Sequence, residues 1–231
     1  MKKHIPNAVT CLNLFTGCLG IVFAFQGELE CASYAILIAA VFDFFDGMLA
    51  RLLKAYSDIG KDLDSLADMV SFGVLPSVIV YQLFLESQPS NLLLQWLSFS
   101  AFLIAIFSAL RLAKFNNDTR QTENFIGLPT PANAMLIASL PFIADQGNFI
   151  SSYLQNPIFL ALFSLGMGLL LVSEIHLMSL KFSSMDLRKN SHRYILVFSS
   201  LILLVIFKFA AVPLIVILYF ILSFIQFRTT K

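Results

Sequence analysis

The chain has 231 residues, of which 58% are hydrophobic and 13% charged, with 24 Phe among them. That is too apolar for a soluble domain of this length. The formal net charge of +1 conceals a strongly uneven distribution along the chain.

A membrane crossing needs ~20 mostly apolar residues. Apolar runs predict helices over 8–25, 31–52, 63–85, 92–113, 132–150, 156–180, 193–207 and 209–227. The seventh run is short and forms a tight hairpin with the eighth around Lys208 and Pro213. The expected fold is all-α: a polytopic membrane bundle of about eight transmembrane helices (six to eight), in one integral-membrane domain, 1–231. No connecting segment is long enough to build a soluble core. No cleavable signal sequence is expected, because the first run starts near Met1 without a small-residue cleavage site.

With an even number of crossings both termini share one side. Every Lys and Arg except Lys208 then falls on that side, from Lys2 and Lys3 to Arg228 and Lys231. The opposite loops, around Gly27, Gln88 and Asn148, carry Glu28, Glu30, Glu86 and Asp145. Positive loops stay in the cytosol, so both termini are expected there.

At the start of the chain, residues 2–6 form a basic, amphipathic entry able to lie along the membrane surface. Asn7 is read as the cap of the first helix. Pro6, Asn7 and Thr10 give that helix a polar face, which Asn13 extends by a turn. Cys11, Cys18 and Cys31 read as small packing residues, since their spacing makes neither a zinc site nor a disulfide framework. Two later connections stand out. Residues 114–131, KFNNDTRQTENFIGLPTP, are polar and then helix-breaking at Gly127, Pro129 and Pro131. Residues 181–193 are basic and Ser-rich, suited to lipid headgroups. Gly166 and Gly168 would let helices approach closely. Glu174 and His176 are read as lying at the cytosolic end of the sixth helix, where Glu174 is either functional or paired with Lys181.

The chemistry concentrates in residues 43–68, DFFDGMLARLLKAYSDIGKDLDSLAD. Asp43 and Asp46 are i, i+3 on the second helix, and Asp64 and Asp68 are i, i+4 on the third, so each pair shares a face. A short connection makes the two helices antiparallel neighbours, and the four carboxylates converge at their cytosolic end. Asp64 could be a helix-start acid favoured by the macrodipole, but Asp43 and Asp46 sit toward the end of their helix, where negative charge is disfavoured. An Asp at mid-bilayer costs ~2.5–3.5 kcal/mol on insertion scales, less near the interface. Four like charges in one cleft call for one or two divalent cations, and all-oxygen ligation points to Mg²⁺ or Mn²⁺. Two such ions could clamp a phosphoryl group. Gly47 leaves room for a phosphate, and Arg51 supplies a fixed cation. Asp58 and Asp62 are expected to face water. These residues imply a membrane enzyme acting on a phosphorylated substrate; they do not name it.

The run also fits D-x2-D-G-x2-A-R-x8-G-x3-D-x3-D at every fixed position, and so resembles the signature of the CDP-alcohol phosphatidyltransferase family. The resemblance implies transfer of phosphatidyl from CDP-diacylglycerol to an alcohol with release of CMP, by a metal-dependent homodimer of helical subunits. By position, it implies metal ligation by Asp43, Asp46, Asp64 and Asp68, with Asp68 also the general base. Gly47, Arg51 and Gly60, with Asn7 and Thr10 of the first helix, would hold the cytidine diphosphate. The segments IPNAVTCLNLFTGCLG (5–20), LDSLADMVSFGVLPS (63–77), RLAKFN (111–116) and FIGLPTPANA (125–134) are similar to those of bacterial and archaeal phosphatidylserine synthases. That likeness implies L-serine as acceptor, in a cleft open to membrane lipids.

A zwitterionic serine needs a cation for its carboxylate. Arg111, or Lys114 beside it, is placed to bind that group or a substrate phosphate, although either could instead be a positive-inside anchor. Thr130 and Asn133, after the Pro-broken loop, could line the acceptor pocket. Glycerol 3-phosphate or inositol phosphate remain alternative acceptors. A cation transporter is a remoter alternative, because no inverted repeat is visible. No nucleic-acid partner is expected.

Overall fold

The computed structural model describes residues 4–87, 91–118, 125–144, 149–178 and 190–229. Several basic residues of the charge count (Lys2, Lys3, Arg120, Lys181, Arg188, Lys189 and Lys231) lie outside them, as do Gln88, Asp145 and Asn148.

Among the described residues there are eight principal helices: α1 (His4–Phe25), α2 (Leu29–Leu52), α3 (Asp58–Glu86), α4 (Leu92–Asn117), α5 (Thr130–Ala144), α6 (Pro157–Val172), α7 (Ser191–Phe207) and α8 (Val212–Thr229). A short helix, Phe149–Leu154, precedes α6. α1, α3, α4 and the α7–α8 segment are long and apolar enough to cross a membrane. α2 is as long, with 24 residues, and carries Asp43 and Asp46 near its end. α5 and α6 are shorter apolar helices.

α1 and α2 form the closest pair. Gly27 turns the chain between them with φ of +81°, a conformation glycine adopts without a Cβ clash. Small residues line their seam: Gly20 and Ala24 on α1, and Ala32, Ala35 and Ala39 on α2 are all buried. Without side-chain bulk the backbones approach closely, which is how packing holds apolar helices together in lipid. A Cβ on Gly20 would lie 2.9 Å from the Ala35 Cβ. The other side of α1 meets α3, where Gly17 abuts Ser71. α1 is thus held between the two helices that carry the acids.

α2 ends without a glycine. Ala55 N–H bonds the Ala50 carbonyl at 2.9 Å and Lys54 N–H the Arg51 carbonyl at 3.2 Å, with Lys54 left-handed at φ of +49°. This paired bonding satisfies carbonyls that a helix end leaves open. α3 then starts earlier than the sequence reading at 63, because Ser57 caps it: its hydroxyl accepts from Gly60 N–H at 3.0 Å. Directly after Asp68 the helix widens into a π-helical turn, Met69–Val74. Such turns are rare and recur at functional sites. This one leaves Ser71, Phe72 and Gly73 buried.

One expected helix end moves. α6 stops at Val172 rather than 180, while α5 runs to Ala144, with residues 145–148 outside the described residues. Ser173 turns extended, and His176–Leu177 (β2) pairs antiparallel with Phe125–Ile126 (β1), Phe125 opposite Leu177. Apolar residues after Val172 read as more helix, but their backbone bonds go to the ribbon instead. Glu174 and His176 consequently lie beyond the helix rather than within α6 and are exposed, and Lys181 falls outside the described residues.

The buried side chains form two clusters. The larger unites α1–α6 around Phe72, Ile79, Phe84 and Ile104. The second joins Leu128, Leu136 and Met167 to Leu177, Met178, Leu196, Tyr219 and Leu222, so the α7–α8 hairpin packs on the ribbon and α5. Of the two glycines expected to ease helix contact, Gly168 abuts Phe107, whereas Gly166 faces open space. The three cysteines are exposed, so they are not the interior packing residues their size suggested.

Candidate active site

The last turns of α2 and the first of α3 bring Asp43, Asp64 and Asp68 together. One carboxylate oxygen from each lies within 4.8 Å of the others. Among the described residues none of the three has an ion-pair partner of opposite charge. Acids packed like this, in oxygen-only surroundings, match the donor set of a hard divalent cation. The cluster could hold a metal ion. Asp46 stands beside this group rather than within it. It is buried, its Oδ2 has no hydrogen-bond partner among the described residues, and it lines the neighbouring cavity with Asp64.

α1 supplies the side wall. Asn13 is fully buried, and its Nδ2 donates to Asp68 Oδ1 at 3.3 Å. The Ser71 hydroxyl, from the π turn, donates to the Asn13 carbonyl at 3.1 Å. In the sequence Asn13 shows only as an extension of the polar face of α1. Thr10 donates to the Pro6 carbonyl at 3.1 Å and lines the cavity. Asn7 is not the helix cap, because α1 already starts at His4; its side chain faces the cavity and comes near Gly60.

That cavity, of about 510 Å³, lies between α1, α2 and the start of α3. It is within the range of small-molecule sites. Thr10, Asp46, Gly47, Arg51, Gly60 and Asp64 line it, along with residues the sequence reading did not single out: Tyr56, Ser57, Lys61 and Phe115. A Cβ on Gly47 would meet nothing within 4 Å, so this glycine keeps space open rather than permitting a helix contact. The Arg51 Nε donates to the Gly47 carbonyl at 3.0 Å, which steadies the guanidinium over the cavity. Lys61 Nζ donates to the Asn116 carbonyl at 3.1 Å, and Asn116 Nδ2 to Ser65 Oγ at 2.8 Å, tying α4 to α3. Two cations beside a cluster of acids suit a phosphate ester bound next to a metal. Asp58 and Asp62 are exposed, as expected.

Arg111, on α4, is only 6% exposed. Its Nε has no hydrogen-bond partner among the described residues, and its guanidinium carbon lies 5.6 Å from the Phe115 ring centre. Asp68 and Tyr219 both act electrostatically on its charge. A buried guanidinium is not a surface anchor; Lys114, by contrast, is exposed. Thr130 and Asn133 are buried on α5, and both amide atoms of Asn133 are unpartnered among the described residues. Buried polar atoms without partners are uncommon and call for an explanation such as an ordered water, an ion or a ligand.

A membrane-type helical bundle with an acid cluster, a cationic cavity and a buried arginine defines an enzyme of phosphoryl chemistry at a membrane. The comparisons narrow this. Residues 3–180 match the CDP-alcohol phosphatidyltransferase family, and the chain belongs to it. It is 37% identical over 173 residues to a Bacillus subtilis protein named CDP-diacylglycerol–serine O-phosphatidyltransferase, covering 75% of this chain and 89% of the relative. A Methanocaldococcus jannaschii protein of the same name is 37% identical over 172 residues, 74% of this chain and 72% of the relative. A Mycobacterium leprae protein of that name is 34% identical over 178 residues, 74% of this chain and 57% of the relative. The chain is thus a phospholipid-synthesising transferase with membrane helices.

Proposed function

We propose that the chain transfers the phosphatidyl group of CDP-diacylglycerol to the hydroxyl of L-serine, giving phosphatidylserine and CMP. The observation that carries the serine reading is the shared name of bacterial and archaeal relatives across the same three quarters of the chain. The buried Arg111, whose Nε has no hydrogen-bond partner among the described residues and which interacts electrostatically with Asp68, supports it as a site for the serine carboxylate.

Asp43, Asp46, Asp64 and Asp68 would hold one or two Mg²⁺ or Mn²⁺ ions. When bound, these supply positive charge against the pyrophosphate oxygens. Arg51 and Lys61 bind phosphate in the cavity, Gly47 leaves it room, and Asn7, Thr10 and Gly60 border the nucleotide. On the acceptor side Arg111 orients serine by its carboxylate, with Thr130 and Asn133 completing the wall and Lys114 at its outer edge. The serine oxygen attacks the phosphorus that carries diacylglycerol. A new O–P bond forms, the pyrophosphate P–O bond breaks, and CMP leaves with the bonding pair. Asp68 accepts the serine hydroxyl proton, held in position by Asn13. The reading includes eight membrane crossings with both termini and the acids at the cytosolic face of the cell membrane, supported by the distribution of Lys and Arg.

The test is radiolabelled serine incorporation by purified protein with CDP-diacylglycerol and Mn²⁺ or Mg²⁺. Metal-dependent label in lipid with equimolar CMP is expected. CMP release with glycerol 3-phosphate or inositol phosphate but not serine would overturn the acceptor alone. No CMP with any alcohol would overturn the reaction.

A further inference from the structure

The family match ends at residue 180, before α7 and α8. Yet α8 reaches back to the acceptor side. The buried Tyr219 donates its hydroxyl to the Met178 carbonyl at 2.8 Å. Met178 N–H in turn donates to Ser223 Oγ at 3.2 Å. Tyr219 and Ser223 are i, i+4 and share a face of α8, and they take both backbone groups of the residue that follows β2. Met178 is fully buried in the second core.

From Met178 the connection runs inward. β2 pairs with β1, Gly127 N–H bonds the Ile175 carbonyl at 2.9 Å, and Leu128 N–H bonds the Leu170 carbonyl at 3.0 Å. A Cβ on Gly127 would sit 2.6 Å from the Leu171 carbonyl oxygen, so the segment is seated tightly. Thr130 opens α5 two residues after Leu128, and Asn133 follows one turn later. Tyr219 also lies within electrostatic reach of Arg111. One side chain therefore bonds the segment that fixes α5 and also acts electrostatically on the buried cation. Among the described residues none of α8 lines the cavity beside Gly47 and Arg51.

We propose that Tyr219 is a positioning residue for the alcohol acceptor: its hydroxyl fixes the Met178 strand and thereby the wall formed by Arg111 and Asn133. α8 thus sets acceptor affinity without touching the donor cavity. This rests on Arg111 and Asn133 facing the acceptor. A packing role alone would need only the ring, which Tyr219→Phe retains.

Steady-state kinetics of the full chain, with Mn²⁺ in lipid–detergent micelles, separate the two roles. Tyr219→Phe should raise the serine KM at least fivefold, with kcat and the CDP-diacylglycerol KM within twofold of wild type. Ser223→Ala should shift the serine KM in the same direction. A serine KM within twofold of wild type in Tyr219→Phe, or an equal rise in both KM values, overturns the proposal. If Tyr219→Phe does not accumulate folded, Ser223→Ala decides by the same criteria. Wild-type protein that releases CMP only with another alcohol would remove the serine reading. The same two variants, assayed with that alcohol, would still decide the role of Tyr219.

Discussion

Asn13 on α1 and Asp68 on α3 are joined by one hydrogen bond, Nδ2 to Oδ1 at 3.3 Å, although 55 positions separate them. The bond depends on the close seating of α1, because Ser71, three residues past Asp68, bonds the Asn13 carbonyl. Helix packing and the orientation of the Asp68 carboxylate are therefore one structural fact. The small residues of α1 let it approach, and the approach delivers an amide to Asp68.

Replacing Asn13 by Ala removes that amide but leaves its backbone carbonyl available to Ser71. A hydrogen bond to a charged group contributes ~1.5–3 kcal/mol, so kcat should fall roughly 10- to 100-fold. The CDP-diacylglycerol KM should stay near wild type. Measured turnover within twofold of wild type would remove Asn13 from the positioning of Asp68.

The acid cluster predicts a reversal of stability with metal. Without divalent ions, Asp64→Asn removes one of several like charges and should melt above wild type. With Mn²⁺ at a hundredfold excess over Kd, wild type should gain about 5–10 °C, and the variant far less. Thermal melting in detergent, with chelator and then with Mn²⁺, reads this without any activity assay. Equal shifts in both proteins would mean that Asp64 does not bind the ion.

Gly47 and Gly60 should fail differently. An added methyl at Gly47 meets open space, and Gly→Ala within a helix gains ~0.8–1 kcal/mol in propensity. Gly47→Ala should therefore melt at or above wild type while raising the CDP-diacylglycerol KM by about tenfold, a loss of roughly 1.4 kcal/mol. At Gly60 the methyl would lie 3.0 Å from the Ser57 Oγ that caps α3 and 3.1 Å from Asn7 Oδ1. Gly60→Ala should lose both stability and donor affinity. If Gly47→Ala binds donor normally, the cavity is not the nucleotide site.

Much of this site was legible because carboxylates at i, i+3 and i, i+4 leave few arrangements once they lie at the ends of two apolar helices. The spacing brought Asp43, Asp64 and Asp68 together, whereas Asp46, expected in the same cluster, stands beside it. Other parts had no local signal. No composition distinguishes the π turn at Met69–Val74 from ordinary helix. Ser173 to Met178 is apolar enough to read as the end of α6, and only pairing with a strand some fifty residues earlier makes it extended. Arg111 looked equally like an interfacial anchor or a ligand group, because burial at a helix end depends on what α5 and α8 place over it. Tyr219, inside a uniformly apolar run, gave no sign of its bond to Met178.

Gly17 is where packing and chemistry meet most directly. An added Cβ would collide with Ser71 Oγ and lie 3.0 Å from the Ser71 Cα. The hydroxyl could rotate, but the backbone carbon cannot, so α1 and α3 must separate. Overpacking of this kind costs ~1–3 kcal/mol. The separation also lengthens the Asn13–Asp68 contact one turn away, so turnover should fall with stability in Gly17→Ala. Gly166→Ala is the matched control, since its Cβ meets nothing within 4 Å and the change should be neutral or slightly stabilising. Melting temperature and CMP release, measured on both variants, give the comparison. If Gly17→Ala melts and turns over like Gly166→Ala, the approach of α1 to the π turn does not hold Asp68 in place.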